Sequence, residues 1–386
     1  MMAKGVDGAI VSRRTIVIFS ATPWQGLVGR PHHLARHFAS RGERVLFVEP
    51  AITWLSPLKK LKLLLKFHFG RLLPLEENLA VLTPPPIMPA GYRFRAVNKL
   101  NQTLLERSIM TALRRLDWPA GLVITHLPGT ADFPGTMPLL YECVDDHAAF
   151  SQYSSLWQKE VVQELEYDLL RRARGVVATA QVLFARCQKY HPKALLIGNG
   201  AAVEHFSDAA GGKSGATGLS GLVAGFYGGI GAWVDLELIA RAAELAPHWS
   251  FYLAGPREGS VELPRFPGNV FLPGFIPFAE LPPILADFDV ALVPFKTNEL
   301  TISVNPIKLY EYFAAGKPVL VADIPELTRW GELVYPVTSA SDLVAALETA
   351  CHESAELKAK RQQVAMDNSW AAKVDLLLDY MKGLGL

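Results

Sequence analysis

The order strand, helix, strand between residues 15 and 50 narrows what this chain can become more than any other feature. TIVIFS (15–20) is a short β-branched run and predicts a first strand. A polar, Gly-bearing loop follows from Ala21 to Gly29. RPHHLARHFASRG then predicts a helix from Arg30 to Arg41, stopped by Gly42. RVLFVEP, from Arg44, predicts the second strand. Strands joined by a helix cannot form a hairpin, so the unit is a parallel crossover.

The pattern recurs. GLVIT (121–125), PLLYECV (138–144), GVVAT (175–179) and ALLIG (194–198) are apolar runs, with helical stretches at 93–116 and 154–173. Strands with few alternating polar positions suit a parallel sheet covered on both faces. SDAAGGKSGATGLSG (207–221) lacks bulky apolar residues and reads as a linker or long mobile loop. A second α/β series follows: GLVAGFYGG, a helix from Asp235, SFYLAG, NVFLPG, DVALVPF, then IKLYEYFAAGKPVLVA and helices at 340–352 and 369–383. Two such sheets leave a cleft between them, and doubly wound sheets bind ligands at the carboxyl ends of their strands.

Charge excludes little and steers nowhere: 38 basic and 37 acidic residues leave +1, with no global pull toward polyanions. Cys143, Cys187 and Cys351 are too scattered for a metal site or disulfide framework. MMAKGVDGAIVSRR lacks the apolar core of a secretory signal, and no apolar run reaches the ~18 residues of a membrane span. The expectation is a cytoplasmic protein, soluble or peripheral on the inner face of the plasma membrane, without a nucleic-acid partner.

The stretch Asp289 to Ala322 carries the sharpest functional signal. A strand ends near Pro294 and a polar loop runs to Asn305, which the sequence places as N-cap, with Pro306 at the first helical position. Such a helix start favours phosphate. Lys308 adds charge there, and Glu311 offers a carboxylate to sugar hydroxyls. The bland alternative is a capped helix with both side chains on a solvated face.

PIKLYEYFAAGKPVL resembles the signature helix of retaining nucleotide-sugar glycosyltransferases of the GT-B fold. ALLIGNGAAVEHF resembles the family's interdomain segment, GFYGGIGAWVD its glycine turn, NVFLPGFIPF its base-contact loop, and WAAKVDLLLDYM its closing helix. The resemblance covers most of the chain from about residue 120. The start of the chain is similar to a subgroup of bacterial surface-polysaccharide transferases. The resemblance implies two Rossmann-like domains, an acceptor-binding one over 1–200 and a donor-binding one over 201–368, with 369–386 returning to the first. It implies a nucleoside diphosphate sugar as co-substrate, retention, and no cofactor or essential metal. It gives Glu311 the donor ribose, puts Gly228 and Gly229 at the diphosphate, and puts Gly274 and Phe275 at the base. Two departures stand out. The first of the family's two glutamates, separated by seven residues, falls on Ser303, so the 301–305 loop, including Thr301, Ser303 and Asn305, must hold the hexose differently. The Arg/Lys pair expected after the glycine turn is absent, leaving Lys308 more of the charge.

On the acceptor side, the Ala21–Arg30 loop offers Trp24, Gly26, Gly29 and Arg30, either as an acceptor loop or as a glycine-rich turn with Arg30, His32 and His33 solvated. YECVDDHAAF sets Asp145 and Asp146 after a strand, as catalytic candidates or as a turn with one Asp capping the next helix. His126, after GLVIT, is a weaker catalytic candidate. WLSPLKKLKLLLKFHFGRLL (54–73) interleaves Lys59, Lys60, Lys62, Lys66 and Arg71 with leucines and suits an amphipathic segment on anionic lipid, bringing the enzyme to a saccharide or lipid-linked acceptor. A helix with a core-facing stripe is the alternative. Rival functions are a nucleotide-sugar epimerase of the same fold and a non-catalytic sugar-nucleotide-binding protein. A nicotinamide dehydrogenase fits poorly, because no G-x-G-x-x-G follows a strand.

Overall fold

The computed structural model describes residues 14–55, 70–153, 156–258 and 261–386. The first apolar run forms β1 (Thr15–Phe19), buried along its whole length. Helix α1 (Arg30–Ser40) crosses to β2 (Arg44–Val48), which pairs parallel with β1. The sheet continues with β3 (Arg71–Glu76), β4 (Leu79–Thr83), β5 (Leu122–Thr125), β6 (Leu139–Cys143), β7 (Gly175–Ala178) and β8 (Leu195–Leu196). Its order is β3-β4-β2-β1-β5-β6-β7-β8, parallel except where β3 meets β4. Apolar clusters cover both faces, one around Val17, Phe133 and Leu169, the other around Ile16, Phe38 and Leu140.

The second sheet comprises β9 (Leu222–Tyr227), β10 (Trp249–Ala254), β11 (Val270–Gly274), β12 (Val290–Val293), β13 (Val319–Ala322) and β14 (Tyr335–Val337). Its order, β11-β10-β9-β12-β13-β14, reverses direction between β9 and β12, a dinucleotide-binding topology whose ligands sit at that reversal. Helix α2 (Trp370–Gly383) ends the chain against the first sheet: Trp370, Val374, Leu377 and Met381 are buried in the Ile16–Phe38 cluster.

Two expectations need correction. Residues 207–221 are no free linker. They begin as a 3-10 turn (Ser207–Gly211), and Asp287 then accepts from the backbone N–H groups of Ser214, Gly215 and Thr217. Lys213 pairs with Asp289 at 2.6 Å. Carboxylates 70 or more residues away tether a stretch whose composition reads as flexible. Second, the segment 54–73 is not uniformly amphipathic. Arg71, Leu72 and Leu73 begin β3, an edge strand that carries Pro74 as edges tolerate. Lys59, Lys60, Lys62 and Lys66 lie outside the described residues. No helix among the described residues is long and apolar enough to cross a membrane.

Candidate active site

Two cavities meet in the cleft. One, of about 290 Å³, lies on the second domain; the other, of about 640 Å³, lies on the first. Asn199, Val304, Asn305 and Ile307 line both.

The smaller cavity is built at the carboxyl ends of β9 and β10 and the start of α3 (Ile307–Ala314). Gly228 adopts φ +132°, and Gly255 adopts φ +147° with its backbone pressed on the Gly228 carbonyl. A Cβ at Gly255 would collide with that carbonyl, and one at Gly228 would be strained by its φ and press on the Lys308 side chain, so both positions favour glycine and keep backbone at the cavity wall. Lys308 sits over Gly228, its ammonium 4.8 Å from the Phe226 ring and 5.0 Å from that of Phe295. Burial lowers Lys308 to about 8, against the pull of Glu311 and Glu258. Glu311 is 4% exposed and accepts a 2.9 Å hydrogen bond from the Tyr227 hydroxyl. Burial raises its carboxyl to about 7, with the Tyr227 bond and Lys308 opposing. The solvated-helix alternative for this pair is therefore excluded.

Asn305 does not cap the helix. Pro306 occupies the cap position without a side-chain bond. Asn305 instead accepts from the Asn199 N–H at 2.8 Å and donates to Tyr310 and Glu326. Glu326 in turn accepts from the Gln181 N–H of the first domain. Thr301 and Ser303 stay out of the cavity lining: their hydroxyls donate to the carbonyls of Lys296 and Leu300, closing the loop on itself. Phe275 and Gly229 line the cavity. Gly274 does not, but its carbonyl accepts from Gly255 N–H at 2.7 Å.

The Ala21–Arg30 loop divides. Gly26 lines the smaller cavity and Gly29 the larger, where it also starts α1. Trp24 lines neither: it packs edge-on against Phe47 at 4.9 Å, beneath the Arg36 guanidinium at 5.0 Å. Arg30, 4% exposed, donates through Nε and Nη2 to Glu142 and through Nη1 to the Gly198 carbonyl and Asn199 Oδ1. Its charge is spent on the domain junction. His32 and His33 are buried too, so the solvated alternative for this turn fails.

The acidic pair separates cleanly. Asp146 accepts from Ala149 N–H at 3.0 Å and from Arg186 at 2.8 Å, a cap and an ion pair. Asp145 lines the larger cavity, and burial together with the Asp146 charge raises its carboxyl to about 7. His126 lines the same cavity. Burial, then the nearby His147 and Arg30, lowers it to about 3, so it is a neutral imidazole. Sequence reasoning missed Tyr227, Asn199, Gln102, His147 and Trp157. Only the lone Glu142 inside an apolar strand hinted at a buried partner such as Arg30.

Residues 223–353 match the family described as glycosyl transferases group 1. A Bacillus subtilis (strain 168) protein bearing the provisional name teichuronic acid biosynthesis glycosyltransferase TuaH is 28% identical over 263 residues, which span 63% of this chain and 66% of that relative. Among solved structures, sucrose-phosphate synthase from Thermosynechococcus elongatus superposes with a TM-score of 0.71 at 15% identity, covering 97% of this chain and 99% of its own. Anabaena Alr3699/HepE in complex with UDP-glucose gives 0.65 at 15%, covering 96% and 99%. At that identity the structural likeness establishes the two-domain fold.

Proposed function

We propose that this GT-B glycosyltransferase moves a hexosyl group from a nucleoside diphosphate sugar to an acceptor hydroxyl, with retention, in the synthesis of a surface polysaccharide or glycolipid. The observation that carries this reading is Glu311. It is a buried carboxylate held by Tyr227, with lone pairs left for ribose hydroxyls, on a cavity that also presents Lys308 and two side-chain-free glycine positions.

In this reading the ribose hydroxyls donate to Glu311. The diphosphate lies between the Gly228 backbone and the start of α3, whose first N–H groups have no partners within the helix. Departure of the diphosphate concentrates negative charge, and the Lys308 ammonium meets it in a site of low dielectric. Cleavage of the sugar–phosphate bond leaves positive character on the anomeric carbon. Asp145, facing the junction from the first domain, stabilises it as a carboxylate. The acceptor enters through the larger cavity, for which an epimerase would have no use. Diphosphate binding rests on Lys308 and backbone groups, without a metal. Attachment to an anionic membrane through residues 54–73 belongs to the same proposal.

Calorimetry with uridine, guanosine and adenosine diphosphate sugars tests the donor assignment. One of them should bind, and Glu311→Ala should weaken that binding by at least about tenfold while leaving the fold intact. Anomeric coupling constants of the product decide retention. If none of the three binds, the assignment is wrong.

A further inference from the structure

We infer that the larger cavity is an acceptor subsite for an uncharged sugar ring, and that it discriminates against uronate and phosphorylated acceptors. The inference rests on the transferase reading above and names its acceptor class.

Charge is the first argument. Three lining side chains among the described residues carry formal charge: Arg30, Glu49 and Asp145. Arg30 is committed to Glu142, Gly198 and Asn199. Glu49 accepts from Trp24 N–H at 2.8 Å and from the Thr83 hydroxyl at 2.6 Å, neither of them cationic. Asp145 has no cation within ion-pair distance among the described residues. The lining histidines, His126 and His147, are held neutral, chiefly by burial. Among the described residues, an anion entering here meets two carboxylates and no cation that is not already paired. Like charges in such a site repel with little screening.

The second argument is unmet hydrogen bonding. Gln102 Oε1 and His147 Nε2 are buried without partners, on residues only 7% exposed that line this cavity. Buried polar atoms are rarely left unpaired, and on residues of a cavity wall they mark groups that a side-chain rotation would offer to an entering ligand. An acceptor atom and an imidazole nitrogen suit hydroxyl groups, which both donate and accept.

The third is the wall. Trp157 packs on Tyr92 with ring centroids 4.5 Å apart, and both line the cavity. Flat aromatic surfaces receive the C–H face of a pyranose, while its hydroxyl edge turns to the polar groups. A lipid tail would leave Gln102 and His147 unsatisfied.

The test measures nucleoside diphosphate release by the full-length protein from its nucleotide sugar, with methyl glucoside, methyl N-acetylglucosaminide, methyl glucuronide or glucose 6-phosphate as probe acceptor. At least one neutral glycoside should accelerate release above donor hydrolysis alone. Both anionic probes should have kcat/KM lower by at least about tenfold, the scale of one unscreened charge contact. Trp157→Ala should raise KM for the neutral probe while leaving nucleoside diphosphate affinity unchanged. Glu49→Gln should narrow the gap between neutral and anionic probes. Equal or better use of the anionic probes overturns the inference. So does acceleration by none of the probes while calorimetry still records nucleotide binding. Loss of nucleotide binding itself would instead remove the transferase reading, and this inference with it.

Discussion

Replacing Glu311 with glutamine should do two opposite things at once. In the folded protein its carboxyl titrates at about 7, against an ordinary 4.5, because burial disfavours the charge. A raised acid contributes stability that is fully present below pH 4.5 and is lost as pH rises through 7. At pH 8 the shift corresponds to on the order of 3 kcal/mol of destabilisation. Glutamine keeps the shape, still accepts from Tyr227, and cannot ionise. The unliganded Glu311→Gln variant should therefore melt a few degrees higher than the parent at pH 8, roughly 1–3 kcal/mol, and close to it at pH 5. Donor binding should move the other way. Hydrogen bonds to a charged group are worth about 1.5–3 kcal/mol, so loss of one weakens nucleoside diphosphate binding roughly 10- to 150-fold. The parent's affinity should rise as pH passes 7 and Glu311 ionises, then fall as pH passes 8 and Lys308 loses its proton. The variant should keep only the alkaline limb. Melting scans and calorimetric titrations across pH 5–9 measure both effects. Parent-like affinity in the variant, or a lower melting temperature at pH 8, would refute the reasoning.

Asp145→Asn should lower turnover by about 10²–10⁴ with donor affinity intact, judged by steady-state kinetics beside calorimetry. Asp146→Asn, losing its ion pair with Arg186 and weakening a cap, should instead cost about 1–2 kcal/mol in urea unfolding and leave turnover largely unchanged. Glu142→Gln strands the Arg30 charge at the domain junction, and about 3–5 kcal/mol should be lost in the same unfolding assay. The protein should float with anionic vesicles at low salt, and charge reversal at Lys59, Lys60, Lys62 and Lys66 should release it. A parent that stays in the soluble fraction counts against membrane docking.

The elements legible in the sequence were those that local chemistry determines. β12 and α3 follow from a β-branched run, a proline and an apolar helical face, and these deliver Lys308 and Glu311 to one cavity. Gly42 at φ +86° stops α1 where its lack of a Cβ says it should. What stayed hidden depends on partners distant in the chain. Asn305 looks like a cap until Asn199 and Glu326 claim it. Trp24 looks like a binding residue until Phe47 and Arg36 enclose it. The two aspartates are chemically identical, and the Ala149 N–H together with Arg186, forty residues on, claims Asp146 and leaves Asp145 on the cavity wall.

The last helix carries a consequence for biosynthesis. Trp370 stacks on His33 with ring centroids 4.7 Å apart, and the Tyr380 hydroxyl donates to the Lys193 carbonyl at 2.7 Å and accepts from the Val176 N–H at 3.1 Å. The first sheet thus completes one of its two apolar faces with residues made long after its own last strand. At about 5–20 residues per second, translation from residue 200 to residue 383 takes roughly 10–40 s. Throughout that interval Ile16, Phe38 and their neighbours lack the part of their cover that Trp370, Val374, Leu377 and Met381 supply. The half that is translated first becomes native last. Its nascent form exposes apolar surface of the kind chaperones hold, and a fragment ending near residue 200 would keep that surface exposed.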